Sequence, residues 1–193
     1  QTGKSSVLLE VSKKLRHHPD FDMAIITIEG AQYDRSADTV LRRFLGELSY
    51  WLQTDFSEIS SWEQFRNIFT AAYLAKPLIL ILDEFDALGE NLINQFAGEF
   101  RKIYTARINE ADKPSAEKKY LLHGLALIGV RSVLGIENES GSPFNVQRSL
   151  HIPNLTYEEV DGMFKWYERE SGQNVEQEVI DRLYDETRGQ PGL

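Results

Sequence analysis

A continuous apolar run, Leu78 to Leu82, restricts the fold of this chain more than any other feature. Its five residues show no alternation of apolar and polar side chains, which is typical of a strand buried on both faces. Such strands belong to parallel sheets that helices cover on both sides. The run ends in Asp83-Glu84, and ligands bind at the carboxyl ends of the strands in open α/β sheets. We therefore expect an α/β fold with a polar site at this edge of the sheet.

Helical and strand patterns alternate through most of the chain. The predicted elements are a helix that ends before Pro19, a strand over 23–28, helices over 40–52 and 62–72, a strand over 78–83, a helix over 90–108 and a strand over 122–130. Ser61 and Gln64 have the spacing of a capping box at the start of the 62–72 helix. The alternation predicts a central parallel sheet with helices on both faces.

From residue 153 onward the pattern is helical, without strands. Thr156 and Glu159 form a capping box for a first helix, and a second helix is predicted to begin at Asn174 and to end at Gly189. The predicted inward residues are Val160, Met163, Phe164, Tyr167, Val179, Ile180, Leu183 and Tyr184. We predict a core domain over residues 1–152 and the start of a helical lid subdomain over 153–193.

The first six residues match half of a phosphate-binding motif. Gln1-Thr2-Gly3-Lys4-Ser5-Ser6 fits the second part of G-x-x-x-x-G-K-[ST], whose first glycine would fall three residues before Gln1. We therefore expect a fragment that begins inside the loop. In this motif the loop N–H groups surround the phosphates, Lys4 reaches the β- and γ-phosphates, and the Ser5 hydroxyl holds Mg²⁺.

The carboxylates after the apolar run fit the same chemistry. Asp83 suits the outer sphere of a Mg²⁺ ion held by Ser5, and Glu84 could orient or deprotonate a water that attacks the γ-phosphate. The structural alternative is that Asp83 and Glu84 only cap the next helix. Asp86 is predicted to be such a cap.

Two further residues are candidates for nucleotide contacts. Arg131 ends the strand over 122–130, and its guanidinium would contact the γ-phosphate if this strand lies beside the Asp83 strand. The alternative for Arg131 is a surface salt bridge. Pro191 could lie against the adenine ring, or it could simply stop the preceding helix.

Composition limits the class of partner. The 193 residues carry a net charge of −9, which argues against a dedicated nucleic-acid surface, and they include no cysteine for a disulfide or a thiolate zinc site. No histidine has metal ligands at suitable spacing. No apolar stretch reaches membrane-spanning length and no signal peptide is visible, so we expect a cytoplasmic protein without a membrane partner.

Together these motifs resemble the AAA-like domain of the signal-transduction (STAND) ATPases, which are related to the archaeal-type P-loop ATPases of the AAA+ superfamily. The matching stretches are Gln1 to Ser6, Leu78 to Asp86, Gly129-Val130-Arg131, Ser142 to Asn145 and Thr187 to Leu193. The resemblance implies a three-layer α/β/α P-loop NTPase with strand order 5-1-4-3-2, followed by a helical lid.

The resemblance also implies a set of roles. The nucleotide would be ATP or ADP, and the absence of an Asn-Lys-x-Asp guanine motif agrees with this. Gln1 to Ser6 would hold the phosphates, Ser5 and Asp83 the Mg²⁺, and Glu84 the water. Arg131 would be the sensor arginine, and Pro191 would lie near adenine. No arginine is nominated as a finger that acts across a subunit interface; Arg107 and Arg148 are only possibilities.

Three functions are compatible with these patterns. The first is an ATPase switch that hydrolyses slowly in isolation and works through self-association or a partner protein bound outside this chain. The second is a structural module that holds ADP or ATP without hydrolysis, for which Glu84 would be unnecessary. The third is a DNA-loading ATPase of the origin-recognition type, which the acidic charge disfavours.

Overall fold

The computed structural model describes residues 4–28, 36–129 and 153–190. Within these ranges, helices alternate along the chain with the strands of a parallel sheet. The elements are α1 (Lys4–Leu15), β1 (Asp22–Thr27), α2 (Ala37–Leu52), β2 (Leu78–Asp83), α3 (Glu90–Ile108), β3 (Leu122–Leu127), α4 (Tyr157–Ser171) and α5 (Gln177–Thr187). Short 3-10 helices occupy Trp62–Phe69, Phe85–Ala87 and Ser115–Glu117. The predicted α/β class is confirmed.

The chain divides into two compact units. One comprises residues 14–147, and the other comprises residues 1–13 together with 148–193. The sheet, α2 and α3 belong to the larger unit, whereas α4 and α5 belong to the smaller one. The domain boundary after residue 152 stays a prediction.

The described sheet has three parallel strands in the order β1-β2-β3. β2 lies in the middle, and its Leu78, Leu80 and Leu82 side chains are completely buried, as the uninterrupted apolar run predicts. β1 pairs with β2 in register from Asp22 opposite Leu78 to Thr27 opposite Asp83. Between β2 and β3 the register shifts by one residue at His123.

Aromatic rings from three helices form the centre of the core. The buried Phe65 ring lies 5.2–5.6 Å from the rings of its neighbours Phe44, Trp62, Phe69, Phe96 and Phe100. The Trp62 indole N–H also donates to the Ala37 carbonyl at 3.2 Å, which ties the 3-10 helix to the start of α2. An ion pair between Arg66 and Glu99, 3.0 Å apart, joins the same 3-10 helix to α3.

The helix predicted over 62–72 differs from the expectation. It is a 3-10 helix that ends at Phe69, so Ala72 falls beyond it and is exposed. The Ser61 side chain does not cap it. Instead, the Gln64 amide oxygen accepts the Ser60 N–H at 2.9 Å, so Gln64 does not complete the predicted capping box.

In the smaller unit, the capping box of α4 is confirmed. The Thr156 hydroxyl accepts the Glu159 N–H, and the Glu159 carboxylate accepts the Thr156 N–H at 2.8 Å. The Tyr157 hydroxyl links α4 to α5 through hydrogen bonds with Asp181 and Gln177. Its ring lies 5.3 Å from that of Tyr184.

The buried faces of α4 and α5 are narrower than predicted. Val160 and Ile180 are buried, but Met163 is 59% exposed and Val179 is 52% exposed. Tyr167 and Leu183 are exposed as well.

The predicted start of α5 at Asn174 is also wrong. The Val175 N–H donates to the Glu168 carboxylate at 2.7 Å, so the helix begins only at Gln177. Its end at Thr187, followed by Gly189 in the left-handed region, agrees with the predicted stop. Across the described ranges, no helix combines the length and the apolar character needed to span a membrane.

Candidate functional site

The Asp83-Glu84 pair lies where the apolar run places it, at the carboxyl end of the central strand. Asp83 is the last residue of β2 and pairs in register with Thr27, the last residue of β1. Its carbonyl accepts the Ile28 N–H at 3.0 Å, which holds the ends of the two strands together. Both carboxyl side chains are half-buried, so they border solvent without being fully hydrated.

Glu84 has an unusual backbone conformation. Its φ of 56° and ψ of 33° place it in the left-handed region, which costs a residue with a Cβ about 1–2 kcal/mol. The Asp83 carboxylate accepts the Glu84 N–H at 3.0 Å. The Glu84 carbonyl in turn accepts the Ala87 N–H at 2.9 Å, which closes a short 3-10 turn. Strained residues of this kind are concentrated at functional sites, where surrounding structure holds them in place.

The residues after Glu84 anchor this turn to β3 and to the core. The Phe85 N–H donates to the Ile128 carbonyl at 2.8 Å, and the Phe85 ring is completely buried 5.9 Å from Phe96. Asp86 packs against Gly129 so closely that a Cβ at Gly129 would lie 2.6 Å from an Asp86 carboxylate oxygen.

None of the three carboxylates caps α3, whose N-cap residue is Gly89, without a side-chain cap hydrogen bond. The predicted cap role of Asp86 is therefore wrong. Glu84 is itself the N-cap residue of the 3-10 helix Phe85–Ala87, although its side chain makes no cap hydrogen bond there, so the structural alternative for Asp83 and Glu84 stays a prediction.

The predicted phosphate-binding motif is described only in part. α1 begins at Lys4, so Lys4 and Ser5 open a helix, as the predicted motif requires. Ser6 is exposed in the first turn. The predictions for Gln1, Thr2, Gly3, Arg131 and Pro191 fall outside the described residues, as do the side chains of Lys4 and Ser5.

The available donors fit the chemistry of magnesium. Mg²⁺ at a nucleotide site binds one or two protein oxygens and completes its shell with phosphate and water oxygens. Asp83 offers a half-buried carboxylate at the strand end, where the Glu84 N–H occupies one of its oxygens. Among the described residues no group of three or more His, Asp or Glu side chains converges into an all-protein metal site, and a nucleotide-bound Mg²⁺ does not require one.

A second polar cluster lies near the amino end of β3, away from the carboxyl ends of the strands where Asp83 and Glu84 lie. Arg107 donates to the Ser115 hydroxyl at 2.6 Å and to the Tyr120 carbonyl. The Ser115 hydroxyl also lies 2.6 Å from His123 Nδ1. Partial burial lowers the pKa of His123, and the charges of Arg107 and Lys118 lower it further.

This cluster engages one of the two possible arginine fingers. Because Arg107 is bound within the chain, it anchors the 109–119 segment and is not free to act on a neighbouring subunit. Arg148 lies outside the described residues. Nothing in the sequence pattern indicated the cluster, since Arg107, Ser115 and His123 meet only through the packing of α3 and β3.

Comparison of the chain with family models, curated proteins and solved structures gives no match. The resemblance to AAA-like ATPase domains therefore rests on the motifs alone. The contact between Asp86 and Gly129 was not predicted from the sequence. The one signal for it was Gly129 itself, a glycine inside the apolar run 122–130, where a larger residue would otherwise be expected.

Proposed function

We propose that this protein binds ATP and ADP with Mg²⁺ and hydrolyses ATP slowly, as the switch domain of a larger AAA-like regulatory ATPase. One observation carries the proposal. Asp83 ends the central buried strand of a parallel sheet and Glu84 follows it, in a chain whose α1 begins at Lys4, the lysine of the Gly-Lys-Ser sequence. An acidic strand end and a phosphate-binding helix start are the two halves of a P-loop ATPase site.

Each residue then has a defined task. Backbone N–H groups at the start of α1 and the Lys4 ammonium bind the phosphates, and Ser5 with Asp83 holds the metal ion. Bound Mg²⁺ would neutralise charge that develops on the phosphate oxygens. Glu84 orients the attacking water and accepts its proton. Arg131 senses the γ-phosphate and Pro191 contacts the adenine.

The strand order supports the same assignment. β3-β2-β1 matches the contiguous segment 4-3-2 of a sheet with order 5-1-4-3-2, in which the strand before the phosphate loop would lie beside β3. Helices α4 and α5 would belong to the lid, which would close over ATP and open after hydrolysis. The switch would then act through a partner or a second copy.

Calorimetric titration of the protein with Mg-ATP, Mg-ADP and Mg-GTP tests the proposal, together with three variants. We expect both adenine nucleotides to bind and Mg-GTP to bind much more weakly. Lys4→Ala should abolish binding. Glu84→Gln should retain binding and lose turnover by about 100-fold or more, since it removes the proton acceptor. Glu90→Gln is the matched control, because Glu90 is an exposed carboxylate at the start of α3 and should behave like the parent.

The outcomes separate the alternatives. Turnover by Glu84→Gln equal to that of the parent would overturn the assigned role of Glu84. Tightly held ADP that does not exchange, with no measurable hydrolysis, would identify a structural nucleotide module. No binding of any nucleotide by the folded protein would overturn the proposal as a whole.

A further inference from the structure

We infer that the contact between Asp86 and Gly129 holds Glu84 in its left-handed conformation and so positions its carboxylate for water activation. This positioning role for Asp86 and Gly129 rests on the proposed ATPase function. It concerns two residues to which the proposed chemistry assigns no step. The left-handed backbone of Glu84 is unfavourable without external support.

Ile128 supplies the first part of that support. Its N–H donates to the Leu82 carbonyl at 2.9 Å, and its carbonyl accepts the Phe85 N–H at 2.8 Å. Leu82 and Phe85 flank Asp83-Glu84 in the sequence. Ile128 therefore holds the chain on both sides of the acidic pair, and the backbone between the two hydrogen bonds must turn sharply. The left-handed Glu84 provides this turn.

Gly129 supplies the second part. Among the described residues, the glycines with positive φ are Gly172 and Gly189, so Gly129 is not needed for an unusual backbone. It is needed for space. A Cβ at Gly129 would lie 2.6 Å from Oδ1, 2.7 Å from Cγ and 3.0 Å from Cβ of Asp86. A side chain at position 129 must therefore displace either Asp86 or the backbone of Ile128, and either shift loosens the turn that carries Glu84.

Gly129→Ala and Gly124→Ala form a matched pair for the experiment. Gly124 lies in β3, whereas Gly129 follows the end of this strand, and a Cβ at Gly124 would meet only the Ile79 side chain at 3.7 Å, an ordinary contact. Amide hydrogen exchange of the Phe85 N–H reports on the turn directly. We expect Gly129→Ala to increase this exchange at least about tenfold, whereas Gly124→Ala leaves it unchanged.

Turnover tests the positioning role. In Gly129→Ala we expect kcat to fall about tenfold or more while the Kd for Mg-ATP stays the same, because a small misplacement of a catalytic group affects chemistry more than binding. A purely structural role would instead change binding, folding and turnover together. An unchanged kcat in Gly129→Ala would overturn the inference.

A double-mutant cycle with Asp86→Ala completes the test. Asp86→Ala removes the atoms at 2.6 and 2.7 Å, so the double variant should be no worse than Asp86→Ala alone. Additive losses would show that the two residues act independently and would overturn the inference. Asp86→Ala only removes atoms and creates no clash. Its kcat and the exchange of its Phe85 N–H can therefore be measured even if Gly129→Ala does not fold.

The hydrogen exchange result does not depend on nucleotide. Absence of ATP binding by the parent protein would overturn the proposed function and, with it, the catalytic part of this inference. Unchanged exchange of the Phe85 N–H in Gly129→Ala would overturn the structural part, whether or not the protein binds ATP.

Discussion

Gly172 and Gly189 share a left-handed backbone with φ of 71°, but their surroundings differ. A Cβ at Gly172 would meet nothing within 4 Å, whereas a Cβ at Gly189 would lie 1.9 Å from the Leu155 carbonyl oxygen. Gly172→Ala should therefore cost only the conformational penalty, about 1 kcal/mol in the free energy of unfolding. Gly189→Ala should cost clearly more, as measured by urea unfolding. The Leu155 N–H also donates to the Gly189 carbonyl at 2.8 Å. An equal loss of unfolding free energy in the two variants would contradict the prediction, because it would mean that this contact can be disturbed at no energetic cost.

His123 makes the stability of the protein depend on pH. Burial and the nearby charges of Arg107 and Lys118 lower its pKa in the folded state, so the unfolded chain binds a proton more readily. The contribution of neutral His123 is complete above the unfolded pKa, about 6.5, and is lost as pH falls from there through the lowered folded pKa. His123→Gln should reduce the fall in Tm between about pH 7.5 and about pH 5. A fall in Tm that is the same in His123→Gln as in the parent would contradict the assignment.

At the scale of elements, Thr156 and Ser61 have the same sequence signature but different roles. Thr156 caps α4 in a reciprocal capping box, whereas the Ser61 side chain instead bonds the Glu63 carboxylate and lowers the pKa of Glu63. Thr156→Ala should destabilise the protein by about 1 kcal/mol. Ser61→Ala should cost less, because the Glu63 contact is fully exposed. Thermal unfolding of both variants checks this, and a larger loss for Ser61→Ala would contradict it.

Sequence patterns suffice to predict the position of some elements but not of others. β1, β2, α2 and α3 occur close to their predicted positions, because each carries an apolar pattern that matches its buried residues in the larger unit. The 62–69 segment shows the limit. Its apolar spacing is compatible with both α and 3-10 geometry, and packing of Phe65 among neighbouring rings is a tertiary effect that periodicity does not encode.

The candidate site, too, was predictable from the sequence only in part. The end of an apolar run was enough to place Asp83 and Glu84 at the edge of the sheet. The left-handed Glu84 was not predictable, since it depends on hydrogen bonds that Leu82 and Phe85 make with the distant residue Ile128. The close contact between Asp86 and Gly129 depends on the same long-range pairing of β2 with β3.

For the whole molecule, the net charge of −9 sets the conditions for binding an anionic nucleotide. The long-range field repels ATP, so attraction must come from groups that touch it. In the proposed site these are backbone N–H groups, the Lys4 ammonium and Mg²⁺. Binding should therefore depend strongly on the metal ion, because Mg²⁺ offsets charge on both the phosphates and Asp83.

This dependence can be measured through global stability. A ligand that binds only the folded state at about 100 times its Kd adds about 2.7 kcal/mol to the free energy of unfolding. Mg-ATP should accordingly raise the Tm of the parent and of Glu84→Gln alike, because Glu84 acts on water and not on binding. The rise should disappear in Lys4→Ala and shrink when EDTA removes Mg²⁺. A Tm increase that survives in Lys4→Ala would show that the nucleotide binds elsewhere, and Lys4-Ser5 at the start of α1 would then be only the beginning of a helix.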